Sequence, residues 1–153
     1  IYVEASRGCP FECEFCLSSV DEKVRNFPLD ALLEEFEILW NRGVRSFKFI
    51  DRTFNLNMTF ANRILNFFLS KEPPYFAHFE VIPDHFPDVL KSKIALFPPG
   101  SLQLEVGIQT LDPVISKGIN RPKKKKKIIE NLHFLPIYEN HLFKNWLLIY
   151  DLY

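Results

Sequence analysis

Four short segments with strand-like side-chain alternation recur along the chain, each followed by a stretch with apolar residues at helical spacing. The first, IYVEAS at 1–6, leads into a loop. Leu29, Leu32, Leu33, Phe36, Leu39 and Trp40 then mark a helix that starts near Pro28 and stops at Gly43. VRSFKFID (44–51) is the second strand, and Phe60, Ile64, Phe67 and Phe68 stripe a second helix closed by Pro73 and Pro74. FAHFEVI (76–82) and LQLEVGI (102–108) are the third and fourth strands, separated by a helix carrying Phe86, Val89, Leu90, Ile94 and Phe97. A last helix is expected from about 122 to 135. This alternation predicts an α/β fold with a parallel sheet of right-handed βαβ units, either an open sheet or part of a barrel.

Parallel strands covered on both faces usually read as nearly continuous apolar runs. Here Val3 and Ala5 oppose Glu4 and Ser6; Ala77, Phe79 and Val81 oppose His78 and Glu80; Leu102, Leu104, Val106 and Ile108 oppose Gln103, Glu105, Gly107 and Gln109. If helices cover the apolar faces, the other faces line a polar interior. Buried carboxylates and amides need partners, so that interior is expected to hold a ligand; a half-solvated sheet edge is the alternative.

The three cysteines, Cys9, Cys13 and Cys16, crowd into CPFECEFC after the first strand. An odd number in eight residues builds no disulfide framework. A reducing cytoplasm is the natural setting, and the triplet reads as a ligand set at the functional end of a βα unit. Three thiolates can hold three irons of a four-iron cluster and leave the fourth open, whereas an electron-transfer cluster is closed by four cysteines. Structural zinc with His78 or His85 as fourth ligand is the competing reading, though zinc pairs are usually separated by a longer insertion.

Composition narrows the class. At 47% hydrophobic and 25% charged residues the chain is globular rather than disordered. No apolar run approaches the roughly 20 residues that span a bilayer, and IYVEASRG is not a secretory start. The net charge of zero conceals a block of five lysines at 123–127, without which 14 cations face 19 acids. The block is read as a solvated helix start rather than a nucleic-acid contact.

Cys9-Pro-Phe-Glu-Cys13-Glu-Phe15-Cys16 resembles the CxxxCxΦC motif of the radical S-adenosylmethionine (radical SAM) enzymes. With FKFIDRTFNLN, HFEVIPD and LQLEVGIQT, the chain from residue 1 to about 135 is similar to the branch often fused to a cobalamin-binding domain, including its DUF4080-type members. The resemblance implies a partial (β/α)6 TIM-like barrel. Cys9, Cys13 and Cys16 would hold a [4Fe-4S] cluster, and SAM would chelate its open iron. It also implies reductive cleavage of SAM to a 5′-deoxyadenosyl radical, an electron donor such as flavodoxin or ferredoxin, and an unknown substrate. By the same resemblance Phe15 lies near the adenine, Asp51 near the SAM amino group, Glu80 and Gln109 at the ribose, and Arg121 at the SAM carboxylate. Cobalamin would come through a domain outside this chain.

The family pattern breaks after ENLHFL, where a GLPGE-like loop is expected and LPIYENHLFKNWLLIYDLY stands. The division is therefore a core at 1–135 and a divergent tail at 136–153, which frame slippage at the lysine codons would explain. Lacking an initiator Met, the chain reads as an excerpt carrying about four βα units. Its rivals are a non-catalytic zinc or iron–sulfur module and an inactive truncated product.

Overall fold

The computed structural model of the protein describes residues 1–20, 23–121 and 124–134; the tail at 136–153 lies outside them. In chain order the elements are β1 (Tyr2–Val3), β2 (Ser6–Arg7), a 3-10 turn (Leu17–Val20), β3 (Arg25–Asn26), α1 (Leu29–Asn41), β4 (Ser46–Phe49), α2 (Met58–Leu69), β5 (Phe76–Val81), α3 (Asp88–Ile94), β6 (Leu102–Val106), α4 (Pro113–Gly118) and α5 (Lys125–Phe134). Four strands form one parallel sheet in the order β1-β4-β5-β6. That order follows the chain without reversal. An open doubly wound sheet reverses its strand order at a switch point, and a barrel does not. The sheet is a section of a barrel.

Local chemistry sets the helix ends. The Asn57 side chain accepts the Phe60 N–H at 3.2 Å and opens α2. α1 closes through Gly43, in the left-handed region at φ 91°, which lets the Val44 N–H reach the Leu39 carbonyl at 3.1 Å. α3 is shorter than its apolar stripe because Phe86 and Phe97 both precede prolines, which keep them out of helical conformation. Both rings are buried all the same. The expected first strand is broken in two, and α4 was not expected at all. Its start is nonetheless written in Asp112-Pro113, where the Asp112 carboxylate accepts the Val114 and Ile115 N–H groups and proline occupies the first turn.

In the four-stranded sheet β1, β4 and β6 bury alternate residues, β5 buries His78 besides its apolar set, and the register aligns the apolar ones. Val3 lies beside Phe49, Phe47 beside Ala77, Ala77 beside Leu102, Phe79 beside Leu104, and Val81 beside Val106. This apolar face meets the helices. Phe68 of α2 is its hub, with ring centroids 5.2–6.5 Å from those of Phe36, Phe47, Phe49, Phe67, Tyr75 and Phe79. Edge-on and tilted ring contacts of this kind each add about 0.5–1.5 kcal/mol beyond area burial. The opposite face carries Tyr2, Lys48, His78 and Gln103 in one row and Glu80 beside Glu105 in the next.

Phe68→Ala should therefore destabilise the chain by about 3–5 kcal/mol in urea denaturation, the range for emptying a buried aromatic site. Phe60→Ala, on a residue only partly buried, should cost clearly less.

Candidate functional site: a cavity beneath the cysteine loop

Asp51, just past β4, determines where the cysteine loop begins. Its buried carboxylate accepts the Ala5 N–H at 3.0 Å, the Ser6 N–H, and the Ser6 hydroxyl at 2.7 Å. Those amides are withdrawn from the parallel ladder, so the strand ends at Val3 and the chain swings into the antiparallel pair β2–β3. Gly8 follows at φ 96°, a conformation that favours glycine, and turns the chain into Cys9.

The far side of the loop rests on the turn after α4. The Glu14 N–H donates to the Ile119 carbonyl at 3.2 Å, and the Asn120 amide donates to the Glu12 carbonyl at 3.0 Å. Arg121 donates from Nη1 to Cys13 Sγ at 3.3 Å and from Nη2 to the Gly107 carbonyl at 3.4 Å. The Ser116 hydroxyl fixes Arg121 from behind by donating to its carbonyl at 2.5 Å.

Between this loop and the C-terminal ends of β5 and β6 lies a cavity of about 180 Å³. Cys9, Phe15, Cys16, Glu80, Gln109 and Arg121 all line it. Cys13 does not, but its sulfur is held by Arg121. Asp51 stands apart: it lines a neighbouring cavity between β2, β3 and the start of α2, and its oxygens are engaged by the Ala5 and Ser6 donors.

Several lining groups were not anticipated. Arg52 pairs with Glu80 through both carboxylate oxygens, at 3.0 and 3.1 Å. Glu105 lies beside Glu80 in register and accepts from His78 Nε2 at 3.2 Å, so the buried His78 belongs to the interior and is absent from the cavity wall. Thr53 is 4% exposed, and its hydroxyl has no partner among the described residues. The signal for Arg52 and Thr53 was present in IDRTFNLN, directly after Asp51, where a loop at the strand's C-terminal end is expected to carry chemistry. Asn55 in the same segment is fully buried and locks this loop to the end of β5, donating to the Ile82 and His85 carbonyls and accepting the Ile82 N–H at 2.7 Å.

Electrostatics follow from burial. Burial pushes Glu80 above the usual carboxylate range, and the Arg52 pair pulls the other way. Burial also raises the Cys9 thiol, and the neighbouring Cys13 and Cys16 push it in the same direction against Arg121. The His78 imidazole is lowered by burial, against Glu105.

The donor set bears on what could fit. All three cysteines are free thiols. Among the described residues no three His, Cys, Asp or Glu side chains are grouped to hold one metal ion. Tetrahedral zinc draws its sulfurs to about 3.8 Å, as bonds of about 2.3 Å require, whereas in a cluster each thiolate meets a different iron. Thr53 offers a shielded hydroxyl to a ligand. Gly107 leaves a cradle, since a Cβ there would stand 2.8 Å from Gln109 Nε2 and 3.5 Å from Arg121 Nη2.

A parallel βα sheet with a three-thiol loop and a polar cavity at the ends of its strands has the layout of a barrel-type core, whose functional groups gather at that end. The chain belongs to the Radical SAM superfamily, whose family model matches residues 3–136. It is 41% identical over 58 residues to an uncharacterized methyltransferase of Pyrococcus horikoshii, covering 36% of this chain and 13% of that protein. It is 42% identical over 45 residues to the ribosomal protein uS12 methylthiotransferase RimO of Chlamydia pneumoniae, covering 29% of this chain and 10% of that protein. Among solved structures it is similar to the radical S-adenosylmethionine methyltransferase TsrM of Kitasatospora setae with cobalamin and a [4Fe-4S] cluster bound, at TM-score 0.74 and 17% identity over 94% of this chain and 29% of that one. The cobalamin-dependent S-adenosylmethionine radical enzyme OxsB superposes at TM-score 0.66 and 16% identity over 88% of this chain and 22% of that one. The fold is thus the TIM-like barrel type of these proteins, and the chain spans less than a third of the length of each.

The Asp51 shift gives a test. Burial raises its folded pKa, and the hydrogen bonds from Ala5 and Ser6 oppose this. Stability from a raised carboxylate is present below the unfolded value of about 3.9 and lost as pH rises through the folded value. In urea denaturation from pH 4 to 7, wild type should lose ground relative to Asp51→Asn as pH rises. A gap moving the other way would mean that the hydrogen bonds outweigh burial.

Proposed function

We propose that this chain is the core of a radical SAM enzyme, in which Cys9, Cys13 and Cys16 hold a [4Fe-4S] cluster and the cavity beneath them holds S-adenosylmethionine. One observation carries the reading: Cys9 and Cys16 line a single cavity with Phe15, Glu80, Gln109 and Arg121, and Arg121 also holds the third thiol, Cys13. When bound, the cluster and SAM supply one-electron reductive cleavage of SAM to methionine and a 5′-deoxyadenosyl radical. The protein supplies position, electrostatics and exclusion of water.

Each side chain has a task suited to its chemistry. Glu80, held from one side by Arg52, presents carboxylate oxygens to ribose hydroxyls. Gln109 and the Thr53 hydroxyl add hydrogen bonds at the same wall. Arg121 offers a planar fork that suits the SAM carboxylate, and Phe15 and Phe11 supply apolar cover. Asp51 acts at a distance in this reading, by fixing the origin of the cysteine loop.

The names of the relatives favour transfer of a methyl or methylthio group, and cobalamin, present in the solved neighbours, would be carried by a domain outside this chain. A low-potential donor of the flavodoxin or ferredoxin kind would deliver the electron, in a reducing cytoplasm. Among the described residues no helix is long and apolar enough to cross a membrane.

Anaerobic reconstitution with iron and sulfide tests the reading. The expected result is a four-iron spectrum that shifts on adding SAM, with 5′-deoxyadenosine formed under reductant; stoichiometric zinc without iron chemistry would overturn it. Cys13→Ala should abolish cluster assembly. Glu80→Gln and Gln109→Ala should keep the iron content and weaken SAM binding by roughly five- to thirtyfold, the value of one or two hydrogen bonds. Gly107→Ala should do the same without altering the melting temperature, because the added methyl displaces only the flexible end of Gln109.

A further inference from the structure

Next to the cofactor cavity lies a second, of about 210 Å³, that shares Phe11, Ile82 and Arg121 with it. Its remaining wall comes from Leu56, the end of β5 and the start of α5: Asp84, His85, Lys124 and Lys127. Three permanent cations and an imidazole thus face one carboxylate. Asp84 is partly occupied already, since it accepts the Lys124 N–H at 3.4 Å.

Two features of this wall are costly as they stand. Lys124 to Lys127 sit at the start of α5 with no acidic residue in its first turn. The N-terminal end of a helix carries a partial positive charge of its own, so cations there are repelled by one another and by the helix. A fixed anion at that end relieves both terms. Opposite, His85 Nε2 is shielded from solvent and has no hydrogen-bond partner among the described residues. A shielded ring nitrogen of this kind is normally satisfied.

We infer that this second cavity is a subsite for an anionic group of the substrate, a carboxylate or a phosphate, held by Lys124 and Lys127, with His85 in its wall, beside the cofactor cavity. The inference rests on the radical SAM reading for its meaning, because the shared wall at Phe11, Ile82 and Arg121 would set a substrate anchored here next to SAM. It also gives the lysine block a division of labour. Lys124 and Lys127 line the cavity; Lys125 and Lys126 do not, and Lys126 stands 4.0 Å from Glu130 on the outer face.

That division supplies a charge-matched experiment on the full chain without cofactor. Inorganic phosphate and acetate are titrated separately by calorimetry into wild type, Lys124→Glu/Lys127→Glu and Lys125→Glu/Lys126→Glu, with melting temperatures recorded for each. Wild type and the Lys125/Lys126 variant should bind at least one probe with matching affinity, and the Lys124/Lys127 variant at least tenfold more weakly. Phosphate alone assigns a phosphate ester, and acetate alone a carboxylate. Equal loss in both variants would reveal diffuse attraction to the lysine block and overturn the subsite, as would no binding in wild type. Displacement of the probe by SAM would give the cavity to the SAM carboxylate instead and overturn it too. Because the probes bind without iron, failure here leaves the cofactor reading intact, and failed cluster assembly leaves this measurement unaffected.

Discussion

The carboxylate of Asp51 governs the geometry on which everything at the site depends. A parallel strand continues as long as its amides find carbonyls on the neighbouring strand. By offering oxygen acceptors to Ala5 and Ser6, Asp51 stops that pairing after two residues and sends the chain across the top of the sheet. Burying a carboxylate among apolar neighbours is unfavourable, and the hydrogen bonds from Ala5 and Ser6 offset part of that cost. The result is a loop whose origin is fixed by strand-end chemistry rather than by the cysteines themselves. The three thiols thereby stand on a backbone that is already placed.

The two faces of the sheet divide the work. Phe47, Phe49 and Phe79 hand one face to the helices, where Phe68 joins them in a continuous aromatic core. The other face keeps charge in registered rows, with Arg52 set against Glu80 and His78 set against Glu105. A rigid apolar layer on one side lets polar groups on the other be held close together without collapsing onto one another.

Much of this was legible in the residues. The period-two pattern of β5 and β6 located the polar face and with it Glu80 and Glu105, and the cysteine spacing named its own loop, whereas Gln109 stands past the end of β6, in the left-handed region at φ 60°, where strand alternation no longer holds. Arg121 was reachable only through family resemblance, because nothing local in INRP announces a guanidinium aimed at Cys13. The broken first strand was not legible, since IYVEAS alternates well and the residue that breaks it lies 46 positions from Ala5. α4 escaped because six residues are too few to show an apolar stripe, although its Asp-Pro start was in plain view. Asn55 and Thr53 lie in the loop after Asp51, whose position at the strand's end was visible, but their burial was not.

The contacts between the cysteine loop and the turn after α4 join Glu12 to Asn120 and Glu14 to Ile119, more than a hundred residues apart. Synthesis produces the thiols long before the surface that seats them. During that interval three βα units must form, and closing a span of this length is slow compared with forming helices or neighbouring strand pairs. The nascent cysteines therefore wait, exposed, until residue 121 has left the ribosome and folded back. Seating the cysteine loop becomes a late event in folding, gated by the completion of the sheet, and a chain interrupted before Asn120 and Arg121 would keep the Asp51 anchor at the loop's origin but lose the contacts that hold its far side.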